Sequence, residues 1–318
     1  MRILTFLLIE SLLAPVSLSS FALLNLWSIT ASKREQTSTT ALAPLFFRWL
    51  LHLQGIRPDV YTHALINNLS VINGSLCWIS LAPTLFAANL TGFTPDFMSV
   101  PERGYEDVDT MINARSLFFD RAITKYLPAV EQVVILGAGF DTRLLRFCTG
   151  QNLSLFEVDK PSIQQEKISA LRKSDVDMSE ISFVAVDFSK DNWTDRLQQA
   201  GLGLGKRTFF LWEGVTYYLT ETEVKETLLR IDAISGEGSA IAFDVFSPEF
   251  TTATQEWRWL QPLIEGLALF GEPFRFGVRL EESAIAQLAQ DTHFSLKTLQ
   301  RMGDKRTAAF SGLVIVDK

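Results

Sequence analysis

Residues 133–147 read VVILGAGFDTRLLRF. An uncharged, β-branched run ends at Gly137-Ala138-Gly139, a polar turn Asp141-Thr142-Arg143 follows, and the next residues carry helical spacing. Strand, glycine turn and helix in that order form the opening unit of a nucleotide-binding α/β domain. Gly137 permits the tight turn, and Gly139 lets backbone come close to a ligand because no Cβ stands in the way. The helix start expected after this turn offers unpaired N–H groups to a polar part of that ligand.

A turn that cradles a pyrophosphate takes a third glycine at position 142, where this chain has Thr142. A nucleoside ligand without phosphates, such as S-adenosylmethionine, needs the bend but not that glycine. Leu153 to Asp159, LSLFEVD, reads as a second strand ending in acid, with Asp159 22 positions after Gly137. That spacing suits a carboxylate that accepts hydrogen bonds from ribose hydroxyls. Glu157 shares a strand face with Asp159, but only the residue at the strand end reaches a sugar. A third strand, Ile181 to Val186, stops at Asp187-Phe188, an acid and an apolar ring suited to adenine. A fourth, Thr208 to Trp212, stops at Glu213-Gly214. Open α/β sheets bind ligands at the carboxyl ends of their strands, so three successive acidic strand ends form a pattern.

LGAGFDTR, FEVDKP, VDF and WEGVTYYLT, in that order, resemble the motifs of the leucine carboxyl methyltransferase family. The resemblance runs from about Ala114 to the C-terminus and includes GEPFRFGV (Gly271 to Val278); nothing before about residue 95 matches. It implies S-adenosylmethionine as cofactor, with contacts at Arg115 (in ARSLFFD), Gly137, Gly139, Asp159, Asp187, Phe188 and Glu213. Arg115 would meet the carboxylate of the cofactor's methionine part. It also implies a doubly wound, seven-stranded Rossmann-like class I methyltransferase sheet with a C-terminal antiparallel hairpin.

The rest of the pattern predicts helices over Pro161–Arg172, Lys190–Ala200 and Glu281–Gln290. Thr220 with Glu223 has capping-box form and predicts a helix from Glu221 to about Ile234. Further strands are expected at Ser239–Phe246, Phe294–Leu299 and Ala309–Val316, the last two linked by Gln300–Thr307. Pro248 to Arg279, with its prolines and aromatics, reads as an insertion on the substrate side, about 248–280. The domain organisation expected is therefore an apolar segment over 1–32, a helical extension or cap over 33–110, and a methyltransferase domain over 111–318.

With 318 residues, 47% of them apolar, the chain can bury a sizeable core. A net charge of −7 without a basic block argues against a nucleic-acid partner. Cys77 and Cys148 are too few and too isolated for a disulfide framework, and His52, His63 and His293 lack metal-ligand spacing, so no metal is expected. No G-x-S-x-G nucleophile motif occurs.

The first hundred residues differ in kind. Ile3 to Thr30 hold a single charge, Glu10, between Arg2 and Lys33-Arg34. That is long enough to span a membrane, although Glu10 is costly there and Pro15 is expected to break the helix. Ile3–Leu13 followed by Ser17–Ser20 also fits a signal peptide, and an apolar helix packed in the fold is the third reading. A second charge-free run lies between Asp59 and Asp96, suited to membrane-associated packing or to a cap over the active site. Asn68, Asn73, Asn89, Asn152 and Asn192 fit the N-glycosylation pattern. These features favour membrane association or a secretory route.

A sulfonium methyl is already activated, so a methyltransferase mainly orients an in-line attack at roughly 3 Å. A carboxylate acceptor, with pKa about 4, needs no general base, which suits a chain with no evident catalytic histidine. The expected acceptor is a carboxylate on a small molecule or a protein C-terminus, with Tyr217, Tyr218, Arg275 and Arg279 as candidates to orient it. Trp257 and Trp259 suit core or lid packing better than a pocket wall. A nicotinamide-dependent oxidoreductase on a similar sheet is the alternative, as is a membrane-tethered, non-catalytic binding protein of the same fold.

Overall fold

A computed structural model describes residues 1–35, 40–188, 192–269 and 271–318. The chain divides into two compact units. The first comprises residues 1–100, 139–142 and 162–177; the second comprises 101–138, 143–161 and 178–318.

The first unit is helical. Helix α1 (Arg2–Glu35) runs 34 residues without interruption through Pro15. The expected break at Pro15 does not occur: proline removes one backbone N–H, and an otherwise apolar, well-bonded helix tolerates that loss. Helix α2 (Leu42–Leu53) buries Leu45, Trp49 and Leu50, which recur at helical spacing. Helix α3 (Val60–Asn68) is N-capped by Asp59, whose carboxylate accepts from the Thr62 N–H. Helix α4 (Gly74–Thr91) is N-capped by Asn73 and stops at Gly92 in the left-handed conformation. Two glycosylation-pattern asparagines thus have structural partners: Asn73 caps α4, and Asn68 donates to Ala64 O and Ser174 Oγ at 3.0 and 2.8 Å.

In the second unit α5 (Met111–Tyr126) precedes strand β1 (Gln132–Leu136) and β2 (Ser154–Asp159). Helix α6 (Pro161–Arg172), which falls almost wholly in the first unit, begins on proline, whose missing N–H costs nothing at a first helical position. Strand β3 (Ile181–Ala185), α7 (Trp193–Gln199), β4 (Thr208–Trp212) and α8 (Glu221–Ile234) follow. The expected start of α7 at Lys190 lies outside the described residues. Helix α8 carries both bonds of its capping box, Thr220 Oγ1 accepting from Glu223 N and the Glu223 carboxylate accepting from Thr220 N. Strand β5 (Ala240–Phe246), short helices over Pro248–Thr251, Gln255–Leu260, Gln261–Leu269 and Glu282–Leu288, then β6 (Ser295–Met302) and β7 (Ser311–Asp317) complete the unit.

The seven strands form one sheet in the order β3-β2-β1-β4-β5-β7-β6. β1 to β5 are parallel, and β7 runs antiparallel between β5 and β6. This is the seven-stranded doubly wound sheet with a terminal antiparallel hairpin that the sequence predicts. Alternate residues Val134, Phe156, Phe210, Phe243 and Val314 face a core closed by Val224, Leu228 and Ile231 of α8. All five residues of β1 are buried, as the apolar run Val133–Leu136 requires of a strand covered on both faces, and the Gln132 amide is hydrogen-bonded to Gly203 O and Thr208 Oγ1.

Two expectations fail locally. β6 continues to Met302, three residues past the predicted end, because an edge strand accommodates Gln300 and Arg301 without burying them. The helix expected after the glycine turn is a five-residue π-type turn, Leu144–Cys148, soon ended by Gly150 at φ +76°.

Candidate functional site

The strand order reverses between β2 and β4, on either side of β1, so the carboxyl end of β1 is the topological switch point of the sheet. Pairing of Leu136 with Val158, and of Asp159 with Ala185, brings the ends of β1, β2 and β3 level. Gly137 and Ala138 leave β1 by donating to Val158 O at 2.9 and 3.2 Å, and Val186 donates to Asp159 O at 2.9 Å. Asp159 therefore ends β2, and Gly137, Asp187 and Glu213 stand just beyond β1, β3 and β4, the four strands being adjacent in the sheet.

Gly137 has φ +64°, and a Cβ there would lie 2.6 Å from Val215 Cγ2. The glycine is needed for the bend and for packing against Val215. Gly137→Ala is expected to cost about 1–2 kcal/mol from the left-handed backbone alone, before the clash is added. A urea midpoint indistinguishable from wild type would contradict this. Gly139, at φ +49°, has room for a Cβ at ordinary contact from Ala41, so its requirement is conformational.

Asp159 is buried, and its Oδ1 accepts from the Lys160 N–H at 2.6 Å. Asp187 is half-buried, and the Phe188 ring is exposed with its centroid 6.4 Å from that of Trp193. An exposed ring beside a half-buried acid at a strand end can stack on a flat heterocycle and bond its amino group.

Arg115 of α5 is buried. It donates from Nε to Glu213 at 3.0 Å, and from Nη1 to Asp244 at 3.0 Å and Tyr217 Oη at 3.2 Å. Among the described residues its Nη2 group has no hydrogen-bond partner. The other Glu213 oxygen accepts from Arg143 at 2.6 Å; Arg143 also holds Asp120 at 2.7 Å, and Asp120 takes Arg146 at 2.7 Å. Three guanidinium groups and three carboxylates thus alternate through the buried interior beneath the strand ends.

Burial pushes the Asp244 carboxyl above its ordinary value despite Arg115 and the Gly214 N–H, and Glu213 nearby adds to the rise. Burial likewise pushes the Tyr217 hydroxyl well up, which makes it a donor or acceptor and not a base at neutral pH. For Arg115, burial would lower the pKa, but Tyr217, Asp244 and Glu213 outweigh it and keep the guanidinium charged.

Asp120, Arg143 and Asp244 escaped the sequence reading as site residues, and Tyr217, expected to orient the acceptor, is instead bonded to Arg115. Asp244 carried a signal: it is a lone charge inside the apolar strand AIAFDVF. The side chains of Arg275 and Arg279 do not join the Arg115 cluster, although the Arg275 N–H donates to Tyr217 O at 2.8 Å. Arg275 is half-exposed with Nη1 3.7 Å from Glu223, and Arg279 is exposed. Tyr218 packs edge-on against Tyr217 and tilts on Phe274, in an aromatic group with Phe246 and Phe250. Trp257 is buried against Phe250 and Phe310, whereas Trp259 is largely exposed.

The first unit has a buried polar cluster of its own, centred on Asp59. Arg57 donates to Asp59 Oδ2 at 2.5 Å, and the Thr62 and Thr142 hydroxyls each reach the same oxygen at 2.6 Å. Arg48 lies 3.4 Å from Asp141. Thr142 is therefore a structural partner of Asp59, which a glycine could not be. His52 Nδ1 accepts from the Asp59 N–H and His63 Nδ1 from Trp49 Nε1, so both rings are packed and serve as acceptors.

Burial alone would raise the Asp59 carboxyl, but Arg57, Thr142 and Thr62 outweigh it and hold the group below the usual carboxylate range. A depressed folded-state value adds stability that is present above the unfolded value of about 3.9 and is lost as pH falls through the folded one. Asp59→Asn should cost on the order of 3 kcal/mol near neutrality, because Arg57 loses its buried counter-charge. The gap from wild type should shrink in urea titrations below about pH 4. A gap that stays constant to pH 2 would exclude this role.

Residues 87–232 match the sequence profile of the family described as leucine carboxyl methyltransferase. The matched stretch is just under half of the chain. The family match begins inside α4, upstream of Ala114, and ends at Asp232, so Arg115 and the four strand ends lie within it and GEPFRFGV lies outside. The chain is 31% identical over 165 residues to the putative S-adenosyl-L-methionine-dependent methyltransferase YktD of Bacillus subtilis, an overlap covering 51% of this chain and 54% of that protein. It is 29% identical over 175 residues to a Mycolicibacterium paratuberculosis protein named in the same way, covering 53% and 58%. The chain thus spans just over half the length of these curated relatives. Among solved structures it is similar to magnesium protoporphyrin IX methyltransferase of Synechocystis with bound SAH, at 11% identity and TM-score 0.43, covering 69% of this chain and 90% of that one.

Proposed function

We propose that the protein is an S-adenosylmethionine-dependent methyltransferase acting on a carboxylate of a small molecule or a protein C-terminus. The observation that carries this reading is the row of Gly137, Asp159, Asp187 and Glu213 at the switch point, with the partner-free Nη2 of buried Arg115 in the cluster beneath it. The relatives' names, which carry S-adenosyl-L-methionine-dependent methyltransferase activity, agree with it.

The residues present fit the cofactor in chemistry. Asp159 supplies an acceptor for ribose hydroxyls, Asp187 an acceptor for an exocyclic amine, and Phe188 an exposed ring for a heterocycle. Arg115 Nη2 supplies two charge-assisted donors for a carboxylate. When bound, the cofactor contributes a methyl group on a positively charged sulfur. The chain's own task is then to orient the acceptor and exclude water. Tyr217 stays protonated, and His52 and His63 are engaged as acceptors, so none of these three is placed as a base for a hydroxyl. A carboxylate, ionised at neutral pH, requires none.

The test is incubation of the full chain with methyl-labelled S-adenosylmethionine and a cell extract, followed by mild alkali. Carboxyl methyl esters release their label as volatile methanol. Alkali-stable label would overturn the carboxylate assignment, and no transfer to any extract fraction would overturn the activity.

A further inference from the structure

We propose that α1 and α4 enter the hydrocarbon of a lipid bilayer together, as one antiparallel helix pair. At one end Phe6 meets Phe93 edge-to-face with centroids 4.9 Å apart; at the other Trp27 Nε1 donates to Ser70 O at 3.2 Å. The two helices therefore run side by side in opposite directions over most of the length of α4. Phe6, Ala87 and Ala88 form a small buried cluster between them.

α4 meets α2 and α3 through Trp78, which packs on Trp49 and His63, but much of the rest of the pair's surface is apolar and uncovered. α1 has a mean hydropathy of 1.9 over its most apolar window, of which only 11% is buried. Leu4 and Leu12 are each 72% exposed, and Phe86 and Leu90 of α4 are 57% and 64% exposed. A helix that is hydrophobic on every side belongs either in a protein core or in a membrane. α1 is not in a core. α2, by contrast, sets a single apolar stripe against its neighbours and buries it.

Three observations select lipid as the occupant. The charge-free stretch Ser11–Ser32 is 22 residues long, roughly 33 Å as helix, close to the roughly 30 Å of bilayer hydrocarbon. Glu10 lies just beyond one end and Lys33-Arg34 just beyond the other, the latter placed for anionic headgroups. Several polar side chains bond within their own helices, which lowers the cost of placing them in hydrocarbon, whereas Ser17 Oγ and Ser32 Oγ have no hydrogen-bond partner among the described residues. Ser11, Ser20 and Asn25 donate to the carbonyls four residues earlier at 2.7, 2.7 and 2.8 Å, and Thr91 of α4 does the same at 2.7 Å. α4 itself contains no charged residue over 18 residues, about 27 Å of helix.

The full chain is reconstituted into phosphatidylcholine–phosphatidylglycerol vesicles. Single environment-sensitive thiol probes are placed at Leu18→Cys, Phe86→Cys and Glu237→Cys, all exposed positions whose replacement leaves the packing intact. Native Cys77 and Cys148 are buried and do not compete for the probe. Lipids carrying a nitroxide on the acyl chain should remove most of the fluorescence at positions 18 and 86, relative to the baseline at 237. Aqueous iodide should quench neither of the two. Acyl-chain quenching at 18 with iodide quenching at 86 would overturn the pairing in lipid. Absence of acyl-chain quenching at both, with self-association of the chain, would show a second copy covering this surface instead.

Discussion

Arg115→Met should destabilise the folded protein by about 3–5 kcal/mol, because it leaves Asp244 and Glu213 buried without their shared counter-charge. Urea unfolding would register the loss as a lower midpoint with little change in slope. Arg115→Lys separates the two roles of this side chain. A lysine keeps the positive charge but cannot reach Glu213, Asp244 and a ligand carboxylate with one planar fork. It should recover part of the stability while S-adenosylmethionine affinity stays depressed. If Arg115→Lys restored both, the guanidinium would matter only as a charge, and its free Nη2 would lose its assigned purpose.

Asp159→Ala carries the second large effect, on cofactor binding. The carboxylate is buried at the end of β2 with one oxygen on the Lys160 N–H, so the variant's urea midpoint is read beside its affinity. Charge-assisted hydrogen bonds of the kind it would offer a ribose are worth about 1.5–3 kcal/mol, a loss of roughly 10- to 150-fold in affinity at 1.4 kcal/mol per decade. Calorimetric titration of the variant with S-adenosylmethionine reads that loss, with circular dichroism confirming an unchanged fold. Wild-type affinity in Asp159→Ala would remove the residue from the site.

The sheet was legible because its signals are local. The β-branched run before Gly137, the capping box at Thr220 and the proline opening α6 each act within a few residues, and each element forms where those rules place it. The ion chain beneath the strand ends was not legible in the same way. Arg115 meets Asp244 across 129 positions and Arg143 meets Glu213 across 70, and no periodicity links such residues. Only the lone charge in AIAFDVF hinted at a buried partner.

The segment after the glycine turn misled for the opposite reason. LLRFC has helical spacing, but Gly150 follows too soon for a full helix, and the chain makes one π turn. Thr142 is similar. In sequence it stands out as a missing glycine, whereas in the structure its hydroxyl serves Asp59, 83 positions away. A turn without a long helix behind it and without a third glycine is still poorly suited to a pyrophosphate, so the cofactor expectation survives on altered grounds.

The central claim, that the switch point at Gly137 holds a phosphate-free nucleoside, is tested most directly by titrating the full chain with S-adenosylmethionine and, separately, with NADH. Saturable binding of S-adenosylmethionine and none of NADH is the predicted result. Tight NADH binding without S-adenosylmethionine binding would contradict it.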